Sequence, residues 1–167
     1  MAAAFLHFNK GGNVQTLLHK LKYAGKQEIG IYFGKTYGAA LVKSGYYKDV
    51  DVILPVPLHW KRKKKRGYNQ SELIARGISM SMKKANLNTR SFIRKLPSKT
   101  QTKKSRYQRW KNVEKIFTLK NEKPLTGKHI LLVDDVITTG ATIEACATVL
   151  LRVPGVRVSV CAVAYTD

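Results

Sequence analysis

HILLVDDVITTGAT, residues 129–142, is the stretch around which this 167-residue chain is organised. Ile130, Leu131, Leu132 and Val133 form a continuous apolar run, short enough for a strand buried on both faces of a parallel sheet. Two adjacent carboxylates, Asp134 and Asp135, follow at once. After Val136 and Ile137 comes a small, hydroxyl-rich turn, Thr138, Thr139, Gly140, Ala141 and Thr142, that opens a helix. The helix's apolar positions, Ile143, Cys146, Ala147, Leu150 and Leu151, fall at i, i+3, i+4, i+7 and i+8, one face of a 3.6-residue repeat.

Each residue type in this unit suits a particular chemistry. Backbone N–H groups at a helix N-terminus, joined by threonine hydroxyls and a glycine that lets the chain come close, suit a phosphate monoester. Carboxylates at a strand's carboxyl end accept hydrogen bonds from vicinal hydroxyls, or reach a hard cation through water. One site of this kind grips both ends of a ribose 5-phosphate. An ordinary acidic strand end before a capped helix needs no run of hydroxyls around a glycine.

The stretch resembles the phosphoribosyl pyrophosphate signature of type I phosphoribosyltransferases: four apolar residues, two acids, two more residues and a Thr-Thr-Gly-x-Thr loop. ILPVPLHWKRKKKRGYNQS and KTQTKKSRYQRWKNV resemble two further marked segments of the competence protein F family of phosphoribosyltransferase-like proteins, so the likeness covers nearly the whole chain. It implies an α/β, type I phosphoribosyltransferase-like fold. The expected core is a mainly parallel sheet of about five strands with 129–135 central, helices on both faces, and a partial lid from the N-terminal residues and 97–112. It also implies phosphoribosyl pyrophosphate as ligand, with Mg²⁺ met indirectly by Asp134 and Asp135 through water or substrate. Val56, Pro57 and Leu58 fall where such enzymes receive the pyrophosphate, often on a strained peptide.

With 44% hydrophobic residues the chain is long enough for one well-filled core and too short for two ordinary domains, so 1–167 reads as a single domain. No apolar run approaches the roughly 20 residues of a membrane span, and the start lacks the pattern of a secretory signal; a soluble, cytoplasmic protein is expected. Cys146 and Cys161 fall on apolar patterns and read as small buried hydrophobes, and His7, His19, His59 and His129 show no ligand spacing. The four-cysteine zinc module that commonly precedes the transferase domain in the competence protein F family is missing here. Oligomeric state stays open, a dimer included.

The formal charge is +21, from 31 basic and 10 acidic residues, which calls for an anionic partner. Its densest runs, 61–66 and 99–109, lie in segments expected to form loops around the cleft. A polyanionic ligand and a nucleic acid both satisfy that pattern.

Elsewhere, 5–8 is a candidate strand; Val14, Leu17, Leu18 and Leu21 give a helical stripe ended by Gly25, and a second helix spans 27–42 and ends near Gly45. Within it GIYFGKT, 30–36, is a near miss to the phosphate-binding P-loop, one residue short between its glycines and set in a helical pattern, and is not taken as a nucleotide site. Val52, Ile53 and Leu54 make a buried strand closed by Pro55 and Pro57. Asn69 or Ser71 caps a helix running to about Lys84, with Leu73, Ile74, Gly77 and Ile78 inward. Strands are expected at 90–96, 115–119 and 156–165, and 97–112, without a core stripe, reads as a flexible flap.

In a phosphoribosyl transfer, pyrophosphate leaves C1 of the ribose as a nitrogen nucleophile arrives, and the sugar gains positive charge. Arg62, Lys65 and Arg66 near the Pro-Val-Pro loop, with Lys103, Lys104 and Arg106 on the flap, are the groups assigned to the departing anion, Arg66, Lys104 and Arg106 as catalytic. No general base is evident: purine-salvage members carry an aspartate where this chain has Thr138. The alternative is a non-catalytic binder of single-stranded DNA in competence, since His59, Trp60, Tyr68, Tyr107 and Trp110 interleave aromatics with cations.

Overall fold

The computed structural model describes residues 1–7, 12–96 and 116–166. Lys103, Lys104, Arg106, Tyr107, Trp110 and the whole 97–112 segment lie outside the described residues. The elements in chain order are β1 (Ala2–His7), α1 (Asn13–Tyr23), α2 (Gln27–Ser44), β2 (Val52–Pro55), α3 (Trp60–Arg66), α4 (Gln70–Ser81), β3 (Asn86–Leu87), β4 (Phe92–Arg94), β5 (Phe117–Leu119), β6 (His129–Ile137), α5 (Ala141–Leu150) and β7 (Arg157–Tyr165).

Among the described residues, five strands form one parallel sheet in the order β1-β7-β6-β2-β3. The apolar run of 130–133 fills the centre, with Leu132 opposite Leu54 on one side and Val160 on the other. Both faces are covered, as the fold class expected. Alternate residues along β6 feed two cores: Leu131 and Val133 join Ile53, Ile74, Ile78 and Cys161 beneath α1, α2 and α4, while Ile130 and Leu132 join Leu54, Phe92, Phe117, Cys146 and Leu150 beneath α5. Both cysteines are buried, as expected.

The near-miss P-loop has a packing role. Gly30, Gly34 and Gly38 form a stripe on α2 against α4, and a Cβ on Gly34 would come within 2.1 Å of the Ile74 carbonyl oxygen. Gly77 answers from α4, where a Cβ would lie 2.4 Å from the Ile31 carbonyl. The two backbones touch, and no larger residue fits between them.

Several expectations need correction. Residues 2–7 join the sheet and contribute no lid: β1 starts at Ala2, ahead of the expected 5–8, and pairs in parallel with β7, Ala4 opposite Ala162, a partner about 160 residues away that local propensity does not register. Residues 61–66 are not loop but α3, begun by His59, whose Nδ1 accepts from the Lys61 N–H, and stopped at Gly67; a helix made of cations has no apolar stripe to reveal it. α4 stops at Ser81, with Leu73 only half-buried and Ala75 buried in its place. The inner face of α5 is Ala145, Cys146, Val149 and Leu150, and Leu151 is 59% exposed, because the end of β6 fixes the rotation of the helix. β4 is shorter than 90–96 and pairs antiparallel with β5, Arg94 opposite Phe117.

Candidate functional site at the carboxyl ends of the strands

β2 ends at Pro55, opposite Val133, whereas β6 runs on to Ile137 beside β7. From Asp134 onward β6 therefore lacks a neighbour on its β2 side, and the two carboxylates stand at this step. Strand alternation sends them to opposite faces. Asp135 points toward α1, where Lys22 Nζ lies 2.7 Å from Oδ2 and the Val136 N–H donates to Oδ1 at 2.8 Å. Asp134 is buried; the Ser71 hydroxyl and the Asp135 N–H both donate to its Oδ1 at 2.9 Å. Burial, and then the Asp135 charge, push its pKa from 3.8 to about 7, against the pull of those two donors and of Lys22. On the same side Arg94 of β4 packs its guanidinium over Phe117, and burial, with Arg62 nearby, lowers its pKa.

The 138–142 loop leads straight into α5. Gly140 takes φ +72°, a left-handed conformation that glycine adopts without strain, and its carbonyl receives the first helical bond from the Glu144 N–H. The N–H groups of its first turn have no intrahelical acceptor, and no side chain among the described residues caps them. They open on a cup of about 30 Å³ lined by Asp134, Thr138, Thr139, Gly140, Ala141 and Thr142 among others. The structure thus brings six of the seven residues read as the ribose-phosphate site around this cup, while Asp135, next to it on β6, turns toward Lys22.

Residues 56–58 lie across that step. The Val56 N–H donates to the Val133 carbonyl at 2.8 Å, and the Val56 carbonyl accepts from Asn69 Nδ2 at 2.9 Å. Pro57 has no N–H, which leaves Leu58 as the backbone donor of the three without an acceptor among the described residues. No cis peptide and no left-handed non-glycine residue occurs among the described residues, so the strained peptide common at this place is absent. The cations read as pyrophosphate ligands follow on α3: Arg62 and Lys65 are exposed, while Arg66 is anchored, donating to Gln70 Oε1 at 2.9 Å and stacking 5.2 Å from the Tyr23 ring. Beside the loop a groove of about 430 Å³ is lined by Pro57, Trp60, Lys63, Glu72, Arg94 and Lys120 among others.

The phosphoribosyl transferase domain family matches residues 48–166. The chain belongs to that family. This phosphoribosyl transferase domain is 39% identical over 112 residues to competence protein F of Haemophilus influenzae, covering 64% of the chain and 46% of that protein. It is 33% identical over 136 residues to competence protein ComFC of Bacillus subtilis (81% of the chain, 52% of that protein) and 31% identical over 139 residues to the DNA utilization protein YhgH of Escherichia coli K12 (81% and 60%). The domain spans about half the length of these relatives, which include the competence protein F whose family its motifs resembled. Among solved structures, the allosteric regulatory enzyme of purine biosynthesis matches with a TM-score of 0.56 at 20% identity, over 81% of this chain and 26% of that one. That likeness shows the shared fold.

Beside the candidate site stand four residues to which sequence reasoning gave no place in it: Lys22, Ser71, Arg94 and Asn69. Asn69 or Ser71 was expected to cap α4. Asn69 occupies the N-cap position but spends its amide on Val56, and Ser71 spends its hydroxyl on Asp134. A polar pair before a helix is a signal for capping, and only the neighbouring strand ends redirect it. No helix among the described residues is long and apolar enough to cross a membrane.

Proposed function

We propose that the domain binds phosphoribosyl pyrophosphate with Mg²⁺ at this edge and transfers the phosphoribosyl group to a nitrogen nucleophile, releasing pyrophosphate. The observation that carries this reading is the placement, on one step of the sheet, of a two-carboxylate strand end and an uncapped, hydroxyl-bearing helix N-terminus. The 5-phosphate takes the Thr138–Thr142 cup, and the ribose hydroxyls hydrogen-bond to Asp134 and Asp135. The C1–O bond to pyrophosphate breaks with its electron pair leaving on the pyrophosphate, while the nitrogen lone pair forms the new bond to C1. Arg62, Lys65 and Arg66 receive the departing charge. Lys104 and Arg106, outside the described residues, keep the same assignment.

The donor set suits a cation held only in part by protein. Among the described residues no group of three or more metal-ligating side chains converges, and two carboxylates at a strand end suit Mg²⁺, which keeps waters and binds mainly through substrate oxygens. When bound, Mg²⁺ supplies charge neutralisation at the pyrophosphate.

Titration calorimetry with phosphoribosyl pyrophosphate and Mg²⁺ tests the reading. Binding should weaken by about 2 to 4 kcal/mol when Asp134 and Asp135 are both changed to Asn, through loss of charge-assisted bonds to the ribose hydroxyls. Unchanged affinity in the double variant removes the assignment. Release of pyrophosphate with a panel of nitrogen nucleophiles then separates an enzyme from a binder.

A second reading, binding of single-stranded DNA, is favoured by one feature. Trp60 is 59% exposed at the rim of the cationic groove, with Lys61 Nζ 5.5 Å from its ring, the pairing of aromatic face and charge that a nucleic-acid strand uses. The relatives' names, competence and DNA utilization, agree with such a role.

A further inference from the structure

Asp135 presents a difficulty for any ribose that approaches it. Its Oδ1 is taken by the Val136 N–H and its Oδ2 by Lys22 Nζ at 2.7 Å, so one of the two carboxylates is already occupied. The occupant comes from a different helix, and that helix is firmly docked. Leu18 and Leu21 of α1 are buried, and the Tyr68 hydroxyl donates to the Leu21 carbonyl. Lys22 is thereby carried to the site by packing that does not depend on its own ion pair, and its long side chain retains freedom, with 27% of it exposed.

The next residue, Tyr23, lies against the Arg66 guanidinium, and Arg66 in turn bonds Gln70. Gln70 is 3% exposed, and its Nε2 has no hydrogen-bond acceptor among the described residues. An orphaned buried donor of this kind costs stability unless something completes it. The end of α1 therefore adjoins a patch that holds a guanidinium and an unsatisfied amide, rich in donors and short of acceptors. A second cation moves there only if an anion lies between.

We infer that Lys22 is a binding residue of the phosphoribosyl site that works by exchange: it stands on Asp135 when the site is free, and on binding it yields Asp135 to the ribose hydroxyls and turns to the pyrophosphate beside Arg66 and Gln70. The inference rests on the phosphoribosyl reading given above. It makes the two ends of the ligand interdependent. The ribose displaces the ammonium from one carboxylate, and the pyrophosphate provides the new partner that makes displacement favourable. A ligand with the ribose and the 5-phosphate but no pyrophosphate loses the ammonium's ion pair without replacing it.

Calorimetry with ribose 5-phosphate and with phosphoribosyl pyrophosphate, each with Mg²⁺, on wild type, Lys22→Met and Lys22→Arg tests this. In Lys22→Met, ribose 5-phosphate should bind about two- to fivefold more tightly, the equivalent of one partly exposed ion pair no longer to be broken. Phosphoribosyl pyrophosphate should bind about tenfold or more weakly, for want of one charge-assisted contact. Lys22→Arg should restore both toward wild type. A merely structural Lys22 moves both ligands in the same direction, as does partial misfolding, so a parallel loss in Lys22→Met overturns the exchange while leaving the phosphoribosyl reading standing. If wild type binds neither ligand, the phosphoribosyl reading fails and the exchange fails with it.

Discussion

Replacing Asp134 by Asn should stabilise the protein at alkaline pH and leave it nearly unchanged in acid. The carboxyl is buried beside a second carboxylate, and its pKa rises from 3.8 to about 7 on folding. The folded state thus holds a proton that the unfolded chain releases, so stability is fullest below about pH 4, falls as pH rises toward 7 and stays low above it. A rise of about three units at 1.36 kcal/mol each corresponds to roughly 4 kcal/mol at pH 8. Asn removes this cost with little other disturbance. Its Oδ1 still accepts from Ser71 and from the Asp135 N–H, and its amide N–H, like the carboxyl proton it replaces, takes the place of Oδ2, which has no hydrogen bond among the described residues. Urea unfolding at pH 4.5 and pH 8 measures the effect, and at a typical slope near 2 kcal/mol per molar the midpoint at pH 8 should rise by about 2 M. The same variant should bind phosphoribosyl pyrophosphate more weakly, as expected of a carboxylate kept buried for function at the expense of stability. A midpoint shift of equal size at both pH values, or a loss of stability at pH 8, would refute the argument.

The contact between α2 and α4 makes a second prediction: Gly34→Ala should lower stability by about 3 kcal/mol or more, since the helices have to separate, whereas Gly25→Ala, left-handed but in open space, should cost about 1 kcal/mol. Thermal melts compare the two, and equal shifts would contradict the close approach. For the nucleic-acid reading, affinity for a single-stranded oligonucleotide should fall with salt at a log–log slope near −0.7 per phosphate neutralised, and Trp60→Ala should cost about 1 to 3 kcal/mol. Tyr32→Ala, which removes an equally exposed aromatic from α2, should cost nothing; a Trp60 variant that binds like wild type would discard that reading.

How much of this protein was legible in its sequence depended on whether the deciding partners were near in the chain. The central strand, its acid pair and the loop after it lie within fourteen consecutive residues, and residue type alone marks them: an apolar run that becomes the buried 130–133, a glycine at 140 that turns the chain, and the start of α5. The end of α2 at Gly45 was readable for the same reason, and the parallel sheet covered on both faces from the alternation of strand and helix patterns along the chain. What the sequence could not decide was which of several competent partners a side chain would choose. Ser71 is able to cap α4 or to bond a carboxylate, and it bonds one 63 residues away; Tyr68 reaches back 47 residues to α1. The pattern at 5–8 points to a strand but does not show that it begins at Ala2, which β7 decides by offering an edge, and α3 has no buried face to announce it. The two aspartates look like one acidic group when written side by side. Strand alternation separates them, turning Asp134 into the buried interior and Asp135 toward Lys22, and only the packing of α1 against the sheet decides that a lysine stands there.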